Sequence, residues 1–89
     1  MYDTVAIRVR GKVQGVWFRK FTSDKARELG LSGFVKNLAD GSVFVLVTGP
    51  PEELKKMEDW CWTGSPASEV TDVTVKPSEA VDFLEFQIL

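Results

Sequence analysis

Residues 4–29 read TVAIRVRGKVQGVWFRKFTSDKAREL, and the period of the apolar positions changes partway along. Val5, Ile7 and Val9 alternate with Ala6, Arg8 and Arg10, the two-residue period of a strand with one solvated or ligand-facing side. From Phe18 to Leu29 the spacing becomes three or four. Phe18, Thr22, Ala26 and Leu29 share a stripe, and Lys20, Asp24, Arg27 and Glu28 mostly fall elsewhere. Gly30 stops that helix. Between the two periods lies a turn, residues 11–16, containing Gly11 and Gly15. A strand that turns tightly into a helix can point successive backbone N–H groups at a small anion. Arg19 adds a fixed positive charge at the same place, a combination suited to phosphate chemistry or phosphate recognition.

Working outward, residues 31–37 read as a second strand, and Leu38-Ala39-Asp40-Gly41 as a tight turn, because glycine accepts positive φ without steric cost. In the third strand, Ser42 to Thr48, Val43, Val45 and Val47 share one face, while Phe44 and Leu46 make the other face apolar too. A central strand covered at least partly on both sides accounts for that. Pro50-Pro51 and Glu52-Glu53 suit the start of a second helix. Its buried stripe is Leu54, Met57 and Cys61, widened by Trp60, and Gly64-Ser65-Pro66 ends it. Residues 68–76 form a fourth strand, Pro77 to Val81 a turn, and Leu84, Phe86 and Ile88 a short last strand. The order β-α-β-β-α-β with an additional C-terminal strand predicts an α/β, ferredoxin-like two-layer sandwich. Two helices lie on one face of an antiparallel sheet.

At 89 residues the chain is expected to form a single domain, 1–89, with one core. The formal net charge is -2, from 11 basic and 13 acidic side chains, which argues against a general nucleic-acid binder. Arg8, Arg10, Lys12, Arg19 and Lys20 nevertheless crowd the first twenty residues. Histidine is absent and Cys61 is the only cysteine. Zinc sites, intramolecular disulfides and Cys-His or Ser-His-Asp nucleophiles are thereby excluded. No apolar run reaches the roughly 20 residues of a membrane span, and the start of the chain does not read as a signal segment. The expectation is a soluble, cytoplasmic monomer.

Two longer patterns carry a resemblance. Gly11-x-Val13-Gln14-Gly15-Val16-x-Phe18-Arg19 and Gly30-Leu31-x-Gly33-x-Val35-x-Asn37-x-x-Asp40-Gly41-x-Val43 resemble the two motifs of the acylphosphatase family. Gly49-Pro50, Gly64-Ser65-Pro66 and Phe86-x-Ile88 extend the match over nearly the whole chain. The resemblance implies hydrolysis of acyl phosphates, which are carboxyl-phosphate mixed anhydrides, to carboxylate and inorganic phosphate without metal or cofactor. It implies that Arg19 binds the substrate phosphate and that Asn37 positions the attacking water. The backbone of Gln14, Gly15, Val16, Trp17 and Phe18 corresponds to the family's phosphate cradle, where phosphate or sulfate would sit. It further implies that a phosphate oxygen of the substrate takes the proton of the water. The partner is then a small-molecule acyl phosphate, with no nucleic acid and no membrane.

Other readings of the same residues stay open at this level. Arg19 alone reads as an ordinary helix residue, and Asn37 as a turn or strand-end cap. Gln14 either braces the loop or touches ligand, and Thr22 either braces the loop or packs in the core. Trp17 either borders the pocket, favouring a bulky or flat acyl group, or packs the loop. Asp40 reads as a turn stabiliser and Cys61 as a small hydrophobe. Arg8, Arg10 and Lys12 read as solvated charges that can steer an anion. Trp60-Cys61-Trp62 suggests an exposed tryptophan. One alternative is a noncatalytic phosphate- or carbamoyl-phosphate-binding regulatory domain. A second, RNA binding through the sheet, lacks a basic face and a good aromatic pattern.

Overall fold

The computed structural model of the protein describes residues 2–89. Seven elements follow in order: β1 Asp3–Lys12, α1 Phe18–Glu28, β2 Ser32–Asn37, β3 Val43–Gly49, α2 Pro51–Thr63, β4 Glu69–Pro77 and β5 Phe86–Ile88. They build one five-stranded sheet in the order β4-β1-β3-β2-β5. The alternation in the sequence decides which side of each strand is buried. Ile7, Val9, Val35, Val43, Val45 and Val47 point inward and are fully buried. Phe18, Thr22 and Ala26 of α1 and Leu54, Met57 and Cys61 of α2 bury against the same face, as the helical stripes require.

Burial, with a smaller contribution from Glu58, pushes the Cys61 thiol up to about 12. It is therefore protonated near neutral pH and acts as a core residue, not a nucleophile. Trp62 is 53% exposed, so one member of the aromatic run does face solvent. On the opposite face of the sheet, β3 is covered as well. Phe44 meets Phe34 with ring centroids 6.0 Å apart, Phe83 reaches Phe34 from the C-terminal segment, and the Lys36 ammonium lies 5.8 and 5.9 Å from the Phe34 and Phe44 rings.

The sheet departs from the antiparallel expectation at one place. β1, β2, β3 and β4 pair antiparallel, but β5 runs parallel to β2. The cause is topological. β4 ends at the edge of the sheet beside the start of β1, since Pro77 pairs with Val5. The chain must then cross that end of the sheet to reach β2, and from there its remaining direction is along β2. Leu84, expected in the last strand, belongs to the crossing and is exposed; pairing begins at Phe86.

A small polar relay holds the crossing segment. The Thr48 hydroxyl donates to the Val81 carbonyl at 2.8 Å, and Val81 N–H donates to Thr4 Oγ1 at 3.1 Å. A hydroxyl has one proton, and that of Thr48 is committed to Val81. The 2.7 Å contact between the two threonines is therefore a hydrogen bond donated by Thr4. Ser78 N–H also donates to the Thr4 carbonyl. Both threonine residues are buried, so no water competes for these groups. Thr48→Val, nearly the same shape, is expected to destabilise the fold by about 1–3 kcal/mol because it leaves polar partners unsatisfied. Urea unfolding measures this, and a midpoint equal to that of the unaltered chain would show the relay to be inert.

Candidate active site

β1 carries the chain into the site with a bulge. Its register against β4 shifts between Arg10 and Gly11, and a Cβ at Gly11 would run into the Glu69 carbonyl. Gly11 is thus a structural glycine. Beyond it, the loop bends through two left-handed residues, Gly15 (φ 73°) and Trp17 (φ 64°). Backbone turns of this kind bring successive peptide N–H groups to one side. Trp17 is also the residue from which α1 starts, with no side-chain cap and no acidic residue in the first turn. Among the described residues, none of the N–H groups from Gln14 to Phe18 is taken up by a hydrogen bond. The result is a group of unpaired donors at the positive end of a helix.

Three contacts hold this loop. The Gln14 carboxamide donates one proton to the Leu38 carbonyl at 2.8 Å and the other to the Ser42 carbonyl at 2.9 Å. Its amide protons are thereby used up, and of the two readings of this side chain the brace is the one seen. The Ser65 hydroxyl, buried, donates to the Val16 carbonyl at 2.8 Å. Phe18 anchors the far end, its ring buried 5.6 Å from that of Trp60 and its carbonyl accepting from the Thr22 hydroxyl. Thr22 packs in the core and bonds back to the first residue of its own helix.

Gln14 grips the two ends of the turn that follows β2, and Asn37 is the last residue of β2. Asn37 Oδ1 is buried and has no hydrogen-bond partner. The turn is itself stiffened by Asp40, whose Oδ1 accepts from the Ser42 hydroxyl and the Ser42 N–H. Those bonds hold the Asp40 carboxyl below its ordinary pKa, the hydroxyl contributing most. A depressed carboxyl pKa adds stability that is present at neutral pH and fades as pH falls through the acid range.

Arg19, in the first turn of α1, donates from Nη1 to the backbone oxygen of Leu89 at 2.8 Å. Leu89 in turn donates its N–H to Val35 of β2. The end of the chain therefore steadies the guanidinium on the same strand that carries Asn37. Arg19, Asn37, Gly15, Trp17 and Phe18 line one cavity of about 430 Å³, together with Val13, Lys20 and Ile88. Of the residues singled out from sequence, Gln14 and Val16 do not line it; they act on the loop from behind. Lys20 is paired with Asp24 at 3.0 Å. Arg8 and Arg10 lie away from the cavity, on the face of the sheet opposite the helices, in loose pairs with Asp40 and Asp72. Leu89, Ser65 and Ile88 were not identified as contributors from sequence. Only the terminal Phe86-x-Ile88 pattern hinted that the chain end returns here. No cluster of three or more His, Cys, Asp or Glu able to hold a metal occurs among the described residues.

Residues 5–88 match the family described as Acylphosphatase. The chain belongs to the acylphosphatase family. An acylphosphatase of Shewanella amazonensis is 52% identical over 85 residues, covering 94% of this chain and 93% of the relative. The solved acylphosphatase of Coxiella burnetii superposes with a TM-score of 0.96 at 34% identity, over 99% of this chain and 93% of that one. That of Bacillus subtilis gives 0.94 at 39% identity, over 100% and 99%. The ferredoxin-like sandwich is the family's fold, and the chemistry is acylphosphatase-type hydrolysis of acyl phosphates, a metal-independent hydrolase class. Among the described residues, no helix of this acylphosphatase is long and apolar enough to cross a membrane.

The Gln14 brace is testable on its own. Gln14→Leu removes both side-chain bonds while each carbonyl keeps its backbone donor within the turn, Gly41 N–H on Leu38 and Leu38 N–H on Ser42. The expected loss is therefore that of two bonds at about 0.5–1.5 kcal/mol each. Denaturant unfolding, with amide exchange read at residues 38–42, should show lower stability and faster exchange in that turn. Unchanged exchange there would mean that the carboxamide does not tie the two segments together.

Proposed function

We propose that Arg19 and the peptide N–H groups of Gln14 to Phe18 bind the phosphate of an acyl phosphate, and that Asn37 orients the water that attacks it. The observation that carries this reading is one cavity lined by Arg19, by the left-handed loop and by Asn37, a residue whose buried Oδ1 has no partner. Each donor suits a tetrahedral oxyanion. A guanidinium contacts two oxygens at once, and peptide N–H groups supply partial positive charge with no proton to lose. A cation in the first turn of a helix gains nothing from the dipole, and a bound phosphate reverses that account.

The step balances within the substrate and one water. The water oxygen forms a bond to phosphorus, and the bond from phosphorus to the acyl oxygen breaks. The electron pair leaves with the carboxylate, and the proton of the water passes to a phosphate oxygen. Carboxylate is a good leaving group, so no strong general acid is required, in keeping with a chain that has no histidine. Asn37 is no base at neutral pH, but its carboxamide can hold a hydrogen bond to water and fix the line of attack. The loop and guanidinium also face the charge that spreads over the phosphoryl oxygens in the transition state. The reading includes residues 1–89 working as a monomeric unit in the cytoplasm on a small molecule, with no nucleic-acid partner.

Kinetics with benzoyl phosphate and competitive inhibition by inorganic phosphate separate the roles. Arg19→Ala should weaken phosphate inhibition and lower kcat/KM by about 100-fold or more, since it removes a group used in both binding and transition state. Asn37→Ala should lower kcat by a similar factor while phosphate inhibition stays within about twofold. Unaltered turnover in both folded variants would remove the assignment, and equal losses of phosphate affinity would contradict the division between them.

A further inference from the structure

Trp17 is an unexpected residue for its backbone. It is the only non-glycine with positive φ among the described residues, at 64°. A bulky side chain is disfavoured there, whereas glycine adopts the conformation freely. Packing does not explain its presence, because the side chain is among the most exposed apolar groups, at 72%. Among the described residues the indole donates no hydrogen bond and pairs with no other ring. What it does do is line the 430 Å³ cavity that also holds Arg19 and Asn37.

That cavity has two chemically different parts. Gly15, Arg19 and Asn37 supply polar groups. Trp17 and the half-exposed Ile88 supply apolar surface open to solvent. The one further charge, Lys20, is paired at the surface with Asp24. An acyl phosphate is divided in the same way, with a dianionic head and an acyl body. Held by its phosphate, the molecule must lay that body against whatever borders the donors.

Resting on the phosphate-binding reading above, we propose that the Trp17 indole, with Ile88, forms the acyl subsite and selects an uncharged, flat acyl group such as an aroyl group over a small aliphatic one. An aroyl group is planar because ring and carbonyl are conjugated, and a planar π-surface gains most from offset contact with an indole face. A small aliphatic acyl group is too short to cover that face.

The test is the ratio of kcat/KM for benzoyl phosphate to that for acetyl phosphate. It is measured in the unaltered chain and in Trp17→Gly, Trp17→Asn and Trp17→Phe. Glycine and asparagine both tolerate the left-handed backbone, so the loop survives without the ring. Their ratios are expected to fall by about fivefold or more, within the range an aromatic contact provides, through a higher KM for benzoyl phosphate. The phenylalanine variant keeps a flat ring and should keep the ratio within about twofold. The Tm of Trp17→Gly should not fall, because an exposed ring and an unfavourable φ are lost together. A ratio unmoved in the glycine and asparagine variants overturns the subsite. A Tm that falls while both substrates slow equally also overturns it, by showing a packing role. Turnover of neither substrate by the unaltered chain would instead remove the hydrolase reading, and the subsite with it.

Discussion

Two protons on the Gln14 carboxamide join the parts of the molecule that the proposed chemistry needs side by side. The loop from Val13 to Trp17 leaves its peptide donors unpaired, and such a loop relaxes unless something holds it. Asn37 sits on a different strand, immediately before a turn that has its own freedom. Gln14 spans the gap to the Leu38 and Ser42 carbonyls, so the spacing between donor loop and carboxamide is set by two short hydrogen bonds. Ser65 beneath the loop and Leu89 against Arg19 fix the remaining sides. The loop itself is ordered by neutral hydrogen bonds from Gln14 and Ser65 to backbone, and charged groups, the Asp40 carboxylate and the Arg19 guanidinium, add the rest.

That choice of groups explains how a chain without histidine or a reactive thiol can be a hydrolase. In the proposed step the substrate brings its own leaving group and its own proton acceptor. The protein has only to hold a tetrahedral anion and one water in fixed relation, which is a problem of geometry and partial charge. A ferredoxin-like sandwich suits it. The bulged end of β1, the start of α1 and the end of β2 all meet at one end of the sheet, over a close-packed core.

Much of this was legible before any coordinates. Alternation in β1 and β3, the stripe of α1 and the glycine punctuation each follow from one local rule, and they placed every element to within a few residues. Arg19 and Asn37 were legible through two long motifs, since neither side chain is distinctive alone. What escaped reading was non-local. The parallel β5 follows from where β4 ends, which no window of sequence contains. The Thr4-Thr48-Val81 relay joins residues far apart, and threonine in a strand ordinarily signals only β-propensity. Ser65 reads as a helix breaker's neighbour until its hydroxyl is seen under Val16. The left-handed backbone of Trp17 runs against every propensity for that residue, and such local violations cluster where a site constrains the chain.

The claim beneath all of this is that one anion is held at once by the 14–18 loop, Arg19 and the neighbourhood of Asn37. A two-dimensional amide NMR titration with inorganic phosphate tests it most directly. Saturable shifts should be largest at the amides of Gly15, Val16 and Trp17 and at the Asn37 side chain, and small along β4, with the whole response lost in Arg19→Ala. Shifts concentrated elsewhere, or a response at the loop that survives loss of the guanidinium, would contradict it.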